Sequence, residues 1–340
     1  MSSSYDKYEK QAKIGEGTYA VVYKAGIELS TGRKIAIKKI KKGSFTDGLD
    51  PPSIREIKFL KELKHPNVLE LIDVFAHKKT MNMILELMET DLEVIIKNKN
   101  VVFNAGDVKS WLLMTLRGTY HLHRNFVLHR DLKPNNLFIA ADGTLKLGDF
   151  GLARDFGACT KPMTNQVVTR WYRAPELLLG GQYYGYGVDM WAIGCIFAEL
   201  MLRTPYLAGD SDLGQLQIVF HALGTPTEDV WPGFNDLPGK KNMEFVMYPR
   251  TPLKTLFTAA GSDALDLLDG MLAYDPLKRI SALDALDHCY FRNAPLPTKP
   301  EKLPRNVEAP PAVIVEKGLK RKAEDDPLGG AAQKLARKLF

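Results

Sequence analysis

The sequence predicts an α+β fold of two lobes, a small N-terminal lobe rich in β-strands with one main helix and a larger α-helical lobe. Three observations favour this division. Residues 8–40 alternate in the manner of strands, and two more strands are expected near 70–77 and 80–87. From Glu86 to Asp91 the chain changes from an apolar strand to a polar turn, which predicts a hinge. Helical patterns follow near 105–125, 187–202, 211–223, 262–273 and 281–288.

The composition is that of a soluble globular protein. The chain has 340 residues, of which 45% are hydrophobic and 25% charged, and this length suits two lobes. The net charge of +6 is modest, and the last 45 residues hold much of it, as in Lys320-Arg321-Lys322. Three cysteines without C-x-x-C spacing indicate reduced thiols and no zinc site. No signal peptide is expected at the start, and the most apolar run, 188–202, is too short to span a bilayer.

These patterns predict three regions. The N-terminal lobe is expected at 1–87 and the C-terminal lobe at 88–294, with the hinge at about 86–91. From residue 295 onward proline is frequent and large apolar residues are few. Residues 295–340 are therefore expected to form an extended or disordered tail.

The first strands enclose a glycine-containing turn between Ile14 and Val22. Gly15 and Gly17 allow the backbone to lie close to a phosphate because no Cβ intervenes, and Ala20 stands where a third glycine is common. Such a turn alone is weak evidence, since many hairpins contain G-x-G. The residues expected to contact a nucleotide here are Ile14, Gly15, Glu16, Gly17 and Val22.

A buried ion pair is expected between the third strand and the helix that follows. Lys38 ends the apolar run Ala36-Ile37-Lys38, and a lysine inside such a strand is costly unless it is paired. Pro52 sets a helix start, and Glu56 lies beside the apolar stripe of that helix. Lys38 is therefore expected to grip a phosphate and to pair with Glu56, although a surface lysine and an exposed glutamate remain the simpler alternatives. The stripe consists of Ile54, Ile57, Leu60 and Leu63.

The most informative stretch is HRDLKPNN at 129–136, followed by GDFG at 148–151. Asp131 can accept a hydroxyl proton, and Lys133 can neutralise charge on a transferred phosphate. Asn136 and Asp149 offer the oxygen ligands that Mg²⁺ prefers. A polar turn that only caps a helix would explain one motif, but the two motifs in this order, with Asp131 and Asp149 18 positions apart, favour phosphoryl transfer.

Over residues 8–294 the chain resembles the eukaryotic protein kinases, with an activation segment at 149–176 that ends in Ala174-Pro175-Glu176. Pro52-Ser-Ile-Arg-Glu56 and Thr169-Arg-Trp-Tyr-Arg173 resemble the cyclin-dependent kinases. Within that family the chain is most similar to the cyclin-dependent-kinase-activating kinase of transcription factor IIH. The stretches that carry this similarity are 15–20, 88–97, 129–137, 165–173, 319–324 and 334–340.

The resemblance implies serine/threonine kinase activity with ATP and Mg²⁺ as cofactors. The adenine would lie between Ala36 and Phe138, its edge would meet the backbone of Glu86 and Met88, and its ribose would meet Asp91. Asp91 is equally expected to cap the next helix. Catalysis would rest on Asp131, Lys133, Lys38 and Glu56, with Asn136 and Asp149 as metal ligands.

The resemblance also implies regulation and partners. A phosphate on Thr164 would meet Arg55, Arg130 and Arg154, and a cyclin of the H type would bind the helix at 51–60. A RING-type assembly factor and transcription factor IIH are the other implied partners, and the implied location is the nucleus. Ser-Pro and Thr-Pro sites of the RNA polymerase II tail, and activation loops of other cyclin-dependent kinases, are the implied substrates. The substrate-facing residues would be Val168, Thr169 and Arg173.

Other interpretations stay open at this point. Thr18-Tyr19 resembles the inhibitory pair of cell-cycle kinases, which keeps a cell-cycle role as an alternative. An inactive cyclin-binding scaffold is a second alternative, although the reactive residues are intact. The basic tail reads as a nuclear import signal more than as a nucleic-acid reader, so neither direct nucleic-acid binding nor membrane binding is expected. His129 is expected to contact the region of Asp149, and Arg279 to pair with Glu176.

Overall fold

A computed structural model describes residues 7–8, 13–16, 20–40, 51–77, 80–156, 162–241 and 243–305. Within these residues the two predicted lobes are present, with a hinge segment between β5 and β6. The smaller lobe is built on an antiparallel five-stranded sheet in the order β1-β2-β3-β5-β4. Its strands are β1 (Lys13–Glu16), β2 (Ala20–Ile27), β3 (Lys34–Ile40), β4 (Leu71–His77) and β5 (Thr80–Glu86).

The central strand of this sheet carries the lysine that the sequence singled out. Lys38 of β3 lies opposite Val22 of β2 on one side and Met83 of β5 on the other. Ile35 and Ile37 belong to a small apolar cluster with Tyr8 and Ile84, whereas Ala36 belongs to the main core. The alternation of the pleat therefore separates two apolar faces, and Lys38 emerges on the face of Ala36.

Helix α1 (Pro51–Glu62) is the main helix of the small lobe. Phe59 and Leu60 are buried in the main core, and Glu56 is buried with them. The predicted apolar stripe is only partly buried, because the Ile54 side chain is 52% exposed. Phe59, one position from the predicted stripe, takes part in the core instead, so the buried face is rotated toward Glu56.

The larger lobe is mostly helical, as predicted, and α5 lies at its centre. Every residue of α5 from Gly187 to Leu200 is buried, which explains why its sequence is apolar apart from Asp189 and Glu199. Helix α3 begins with a capping box in which Asn104 and Asp107 satisfy each other's backbone N–H groups. The helices are α2 (Leu92–Lys97), α3 (Ala105–Arg124), α4 (Pro175–Leu178), α5 (Gly187–Leu202), α6 (Asp212–Leu223), α7 (Pro238–Lys241), α8 (Leu253–Leu256), α9 (Ser262–Met271) and α10 (Ala282–Leu286).

Two small antiparallel sheets position the reactive loops beneath the hinge. One joins β6 (Thr90–Asp91), β8 (Leu137–Ile139) and β9 (Leu145–Leu147), and the other joins β7 (Val127–Leu128) to β10 (Arg154–Asp155). The HRDLKPNN stretch is the connection from β7 to β8, and GDFG directly follows β9. Because β8 and β9 are paired neighbours, the two motifs leave the same sheet side by side.

The first residues of the predicted tail lie on the C-terminal lobe. Residues 295–305 are packed against the C-terminal lobe: Leu303 is buried and the Thr298 N–H donates to the Gly106 carbonyl at 3.0 Å. A Cβ at Gly143 would overlap the carbonyl oxygen of Pro300, so the segment lies directly on the β8–β9 turn. Pro300 begins a short 3₁₀ helix (Pro300–Lys302), so the segment's proline content does not prevent docking. The rest of the predicted tail, 306–340, lies outside the described residues.

None of the helices within the described ranges combines the length and apolar character needed to cross a bilayer. The most apolar of them, α5, has its side chains buried inside the lobe.

Candidate active site

The predicted ion pair between β3 and α1 is present and buried. Lys38 Nζ lies 2.8 Å from Glu56 Oε1 and 2.6 Å from Oε2, so one ammonium meets both carboxylate oxygens. The next residue of α1, Arg55, donates to the Gly151 carbonyl at 3.1 Å. This second contact ties α1 to the GDFG turn, so the position of the Lys38–Glu56 pair is linked to that of Asp149.

Asp131 is the centre of the polar cluster in the larger lobe. Its Oδ2 accepts hydrogen bonds from Lys133 Nζ at 2.6 Å and Asn136 Nδ2 at 3.1 Å. Its Oδ1 accepts from the Thr169 hydroxyl at 3.0 Å and from the Thr169 N–H at 3.2 Å. These donors come from two segments of the chain and fix the orientation of the carboxylate, with one oxygen turned toward Thr169.

Asn136 and Asp149 lie together through their backbones. The Gly148 N–H donates to the Asn136 carbonyl at 3.0 Å, which places Asp149 next to Asn136. The Asn136 amide nitrogen is used by Asp131, so the amide oxygen points elsewhere. The Asp149 carboxylate is 7% exposed, and no hydrogen bond or ion pair to it occurs among the described residues. A buried carboxylate and an amide oxygen carried by neighbouring backbone segments have the donor chemistry that suits Mg²⁺.

Two left-handed residues shape these loops. Arg130 has φ of 62° and Asp149 has φ of 61°, a conformation that costs free energy for residues other than glycine. His129 Nε2 meets the Gly148 carbonyl at 3.0 Å, and its ring lies 4.9 Å from that of Phe150. The expected contact of His129 with the region of Asp149 is therefore present.

Asp189 of α5 anchors the candidate catalytic loop, residues 129–136, from below. Its two carboxylate oxygens accept the backbone N–H groups of His129 and Arg130, each at 2.9 Å, and His123 Nε2 lies 3.0 Å from Oδ2. Burial by itself raises the pKa of Asp189, but the hydrogen bond from His123 and the backbone donors outweigh it and hold the pKa below its ordinary value. The loop is thus held by an ionised group in the core.

Apolar residues line the region between the hinge and the catalytic loop. Ala36, Leu85 and Phe138 are buried, and a Cβ at Gly148 would lie 2.6 Å from Phe138 Cε2, so the phenylalanine ring packs closely on that glycine. No hydrogen bond to the Met88 backbone occurs among the described residues, which leaves its N–H and carbonyl available to a planar ligand edge.

At the hinge itself, Asp91 caps α2 by accepting the Val94 N–H at 3.0 Å, as one of its two predicted roles requires. The Glu86 carboxylate accepts the Glu70 N–H at 2.7 Å and pairs with Lys146 at 2.8 Å. Its side chain therefore already has partners within the protein. The adenine contact that the sequence predicted concerns the Glu86 backbone, whose N–H donates to the Glu70 carbonyl at 3.2 Å.

The glycine-containing turn is described only in part. Ile14, Gly15 and Glu16 lie in β1 and Val22 lies in β2, with Gly15 opposite Val22. Gly17 and the Thr18-Tyr19 pair lie outside the described residues. The strands that flank the turn are the edge of the sheet adjacent to β3, which carries Lys38.

Val168 and Arg173 form a rigid unit at the end of the activation segment. Val168 has φ of 67°, a conformation that β-branched residues rarely adopt. Its carbonyl accepts from Arg173 Nη2 at 2.9 Å and Nε at 3.2 Å, and Arg173 also meets Asp212 at 3.2 Å. The guanidinium therefore occupies the Val168 carbonyl that would otherwise be available to a bound peptide.

The Thr164 side chain is exposed, and it has no hydrogen bond to Arg55, Arg130 or Arg154 in the described structure. Arg55 and Arg130 instead donate to the carbonyls of Gly151 and Leu152, and Arg130 reaches the Tyr184 hydroxyl at 3.0 Å. The arginines predicted to receive a phosphate are thus gathered around the start of the activation segment.

The expected pair between Arg279 and Glu176 is present at the other end of that segment. Arg279 Nη1 and Nη2 meet the two carboxylate oxygens of Glu176 at 2.7 Å and 3.0 Å, a bidentate arrangement in the core. Arg279 also donates to three backbone carbonyls, so it joins Glu176 to the chain around α5 and α9.

Known proteins can now be compared with this geometry. A family model described as "Protein kinase domain" matches residues 8–291. The chain belongs to the protein kinase family. The kinase fold thus accounts for both lobes, and the chain is a protein serine/threonine kinase.

Relatives narrow the class of kinase. The chain is 55% identical over 298 residues to serine/threonine-protein kinase crk1 of Schizosaccharomyces pombe, covering 88% of each chain. It is 51% identical over 308 residues to cyclin-dependent kinase 7 of Xenopus laevis, covering 90% of this chain and 87% of that protein. The kinase is therefore a member of the cyclin-dependent kinase family.

A solved structure agrees with this placement. The structure described as the CAK complex from Chaetomium thermophilum bound to ATP-gamma-S is 45% identical and superposes with a TM-score of 0.86. The match covers 89% of this kinase and 96% of that chain. The bilobal architecture is thus shared with a chain of that solved complex.

Several residues that support this kinase site were not singled out as site residues from the sequence. Asp189 and His123 hold the catalytic loop, Asp212 holds Arg173, and Glu93 accepts a hydrogen bond from Asn135 of the catalytic loop. One signal was available: Asp189 stands inside an otherwise apolar helix, and a charge in that position needs buried partners. The partners themselves lie 59 or more positions away and leave no local pattern.

Proposed function

We propose that this kinase acts with a cyclin and transfers the γ-phosphate of ATP to Ser-Pro and Thr-Pro sites. Its proposed substrates are the C-terminal tail of RNA polymerase II and the activation loops of other cyclin-dependent kinases. The observation that carries the proposal is the contact set around Asp131, in which Lys133, Asn136 and Thr169 meet one carboxylate. Asp149 lies next to Asn136, and the Lys38–Glu56 pair is tied to the same turn.

ATP is the proposed phosphate donor. The buried apolar residues Ala36 and Phe138 would enclose the adenine, and the Met88 backbone would meet its edge. Lys38 would contact the α- and β-phosphates while Glu56 keeps its ammonium in place. The ATP analogue named with the solved relative supports this assignment.

Mg²⁺ is the proposed metal, and Asn136 and Asp149 are its proposed ligands. The buried Asp149 carboxylate without a described protein partner fits a cation of this kind. When bound, Mg²⁺ supplies charge neutralisation at the phosphate oxygens. The protein's own part is to hold the two ligand side chains in place through the Gly148–Asn136 backbone hydrogen bond.

Asp131 is the proposed general base. A substrate hydroxyl would take the place of the Thr169 hydroxyl at Oδ1, give its proton to the carboxylate, and form the new P–O bond as the bond to ADP breaks. Lys133, 2.6 Å from Oδ2, would carry positive charge toward the transferred phosphoryl group. Because the transfer depends on positioning and electrostatics, each of these residues is expected to contribute at least about 100-fold to kcat.

Preference for proline after the target residue follows from Val168 and Arg173. A peptide whose next residue carries an N–H would need an acceptor, but the Val168 carbonyl is already taken by Arg173. Proline has no N–H to leave unsatisfied, so it loses nothing at this position. A Ser-Pro peptide is therefore expected to have at least about tenfold higher kcat/KM than the matching Ser-Ala peptide.

The proposed cyclin would bind at α1. The half-exposed Ile54 lies on this helix two positions from Glu56. A partner that covers Ile54 would therefore also influence the position of Glu56 in the Lys38–Glu56 pair. A RING-type assembly factor, membership of transcription factor IIH and a nuclear location complete the proposal. They are supported by the similarity to cyclin-dependent kinase 7 and to the CAK complex.

Thr164 is the proposed activating phosphorylation site. A phosphate there would add about two negative charges near Arg130 and Arg55. Thr164→Ala is expected to lower the activity of the kinase–cyclin complex more without the assembly factor than with it. Equal losses in both settings would contradict this part of the proposal.

The decisive test uses two substitutions in the full chain, assayed as a cyclin complex with radiolabelled ATP. Asp149→Asn removes a metal-binding charge, and Lys38→Arg alters the ion pair; each should lower phosphotransfer by at least about 100-fold. Asp229→Asn and Lys99→Arg, both on the exposed surface, are matched controls that should keep full activity. Circular dichroism checks folding, and near-normal activity in either site variant would overturn the assignment.

A further inference from the structure

The hydroxyl of Tyr184 links the catalytic loop to the activation segment. Arg130 Nη1 donates to this hydroxyl at 3.0 Å, and the hydroxyl donates in turn to the backbone carbonyl of Thr164 at 2.6 Å. A charged guanidinium, a hydroxyl and a carbonyl thus form one chain of hydrogen bonds. The first of these bonds is charge-assisted, and such chains strengthen one another because each donor polarises the next.

The same loop holds the activation segment at a second point. The Met163 N–H donates to the Gln182 carbonyl at 2.8 Å, and the Met163 side chain is buried. Gln182 to Tyr184 therefore bind Met163 and Thr164 through one backbone contact and one side-chain contact. Only the side-chain contact continues to Arg130, so Tyr184 is the element that connects this part of the segment to the catalytic loop.

Arg130 is a fixed donor. Its Nε donates to the Leu152 carbonyl at 2.8 Å, and its backbone N–H donates to Asp189 at 2.9 Å. The residue is buried and has a left-handed backbone, so it cannot follow a moving segment without breaking these contacts. The Thr164 carbonyl is consequently held at a set place relative to Asp131, the next residue after Arg130.

The Thr164 side chain does not take part in this arrangement. It is exposed, while its backbone carbonyl makes the contact with Tyr184. We propose that Tyr184 is a positioning residue that holds the activation segment in its active conformation when Thr164 carries no phosphate. This inference rests on the proposed kinase function and adds a residue that its regulation requires.

A phosphate on Thr164 would supplement this tether. The Arg130 guanidinium has several N–H donors, and Leu152 and Tyr184 use only some of them. The remaining donors can meet phosphate oxygens together with Arg55, which strengthens the same connection through charge. The hydroxyl of Tyr184 and the phosphate are therefore alternative supports, and losing the hydroxyl should matter most when the phosphate is absent.

The test replaces the hydroxyl alone. Tyr184→Phe keeps the ring, and Tyr183→Phe is a matched control because Tyr183 is 69% exposed and has no hydrogen bond within the described residues. Full-chain kinase–cyclin complexes are assayed with Thr164 phosphorylated and after phosphatase treatment. In the dephosphorylated state Tyr184→Phe should lower kcat/KM for a Ser-Pro peptide about tenfold. In the phosphorylated state the loss should be under about twofold, and KM for ATP should stay unchanged in both.

A second measurement does not depend on activity. Hydrogen–deuterium exchange of residues 162–169 in the dephosphorylated kinase chain should be at least about fivefold faster in Tyr184→Phe than in the wild type or Tyr183→Phe. Unchanged exchange, or equal activity losses in both phosphorylation states, would overturn the inference. If the wild-type complex transfers no phosphate at all, the proposed function fails, while the exchange measurement still decides the role of Tyr184.

Discussion

Replacing Arg279 by methionine should destabilise the C-terminal lobe severely. The Arg279 side chain is 1% exposed and makes a bidentate pair with the buried Glu176. It also donates to the carbonyls of Ala273, Tyr274 and Gly187, and its guanidinium lies 5.1 Å from the ring centroid of Trp191. Arg279→Met keeps a long apolar stem but leaves the Glu176 charge and three carbonyls without their donor.

The expected loss in the free energy of unfolding follows from the buried charge of Glu176. Breaking a buried ion pair by removing one partner costs about 3–5 kcal/mol, because the remaining charge is uncompensated. For a lobe of this size such a loss lowers the unfolding midpoint by roughly 10 °C. Glu176→Gln combined with Arg279→Met removes both charges. The double variant should therefore be more stable than the sum of the single losses predicts, by at least about 2 kcal/mol.

Urea unfolding followed by tryptophan fluorescence measures these energies, and Trp191 reports on the site directly because it lies beside Arg279. The four proteins of the cycle are the wild type, the two single variants and the double variant. A loss below about 1 kcal/mol for Arg279→Met, or strictly additive losses in the double variant, would refute the reasoning that the buried Glu176 charge dominates.

Three further predictions concern the same lobe. Burial raises the pKa of Glu199 to about 7 against the hydrogen bond from Tyr172, so the folded state holds a proton that the unfolded chain releases near pH 4.5. The contribution of protonated Glu199 to the free energy of unfolding is fully present below about pH 4.5 and is lost as the pH rises through about 7. Urea unfolding should show the free energy of unfolding falling by about 3 kcal/mol over this range, and Glu199→Gln should abolish that fall. Gly143 has φ of 84° and faces Pro300, so Gly143→Ala should displace residues 298–303 and speed up their hydrogen exchange. Gly185→Ala should leave that exchange unchanged, because no atom lies within 4 Å of the added Cβ. Asn104→Ala removes the capping box of α3 and should cost about 1 kcal/mol in urea unfolding, with Asn104→Asp nearly neutral.

Local patterns made much of the fold predictable. Two kinds of feature could be predicted because they depend on neighbours within a few positions. They are the capping of α2 by Asp91 and the apolar character of α3 and α5. The Lys38–Glu56 and Glu176–Arg279 pairs were predictable for another reason. A buried charge demands a partner, and the kinase motifs limit where that partner can stand.

Contacts between distant segments were not predictable. The packing of residues 295–305 depends on the shape of the β8–β9 turn, which no pattern in the proline-rich stretch records. The exposure of Ile54 depends on the rotation of α1 against the sheet, and periodicity alone does not set that angle within one residue. The relay through Tyr184 requires two loops to meet, and a single tyrosine in a polar loop gives no sign of it.

The anchoring of the catalytic loop by Asp189 has a wider consequence. Asp189 is 1% exposed and belongs to a helix enclosed by the larger lobe, so nothing that binds the outer surface touches it. The position of the loop that carries Asp131 is thereby set from the interior of the larger lobe, whereas the Lys38–Glu56 pair belongs to the smaller lobe. A regulator that binds the outer surface would therefore act without contacting the residue that anchors this loop.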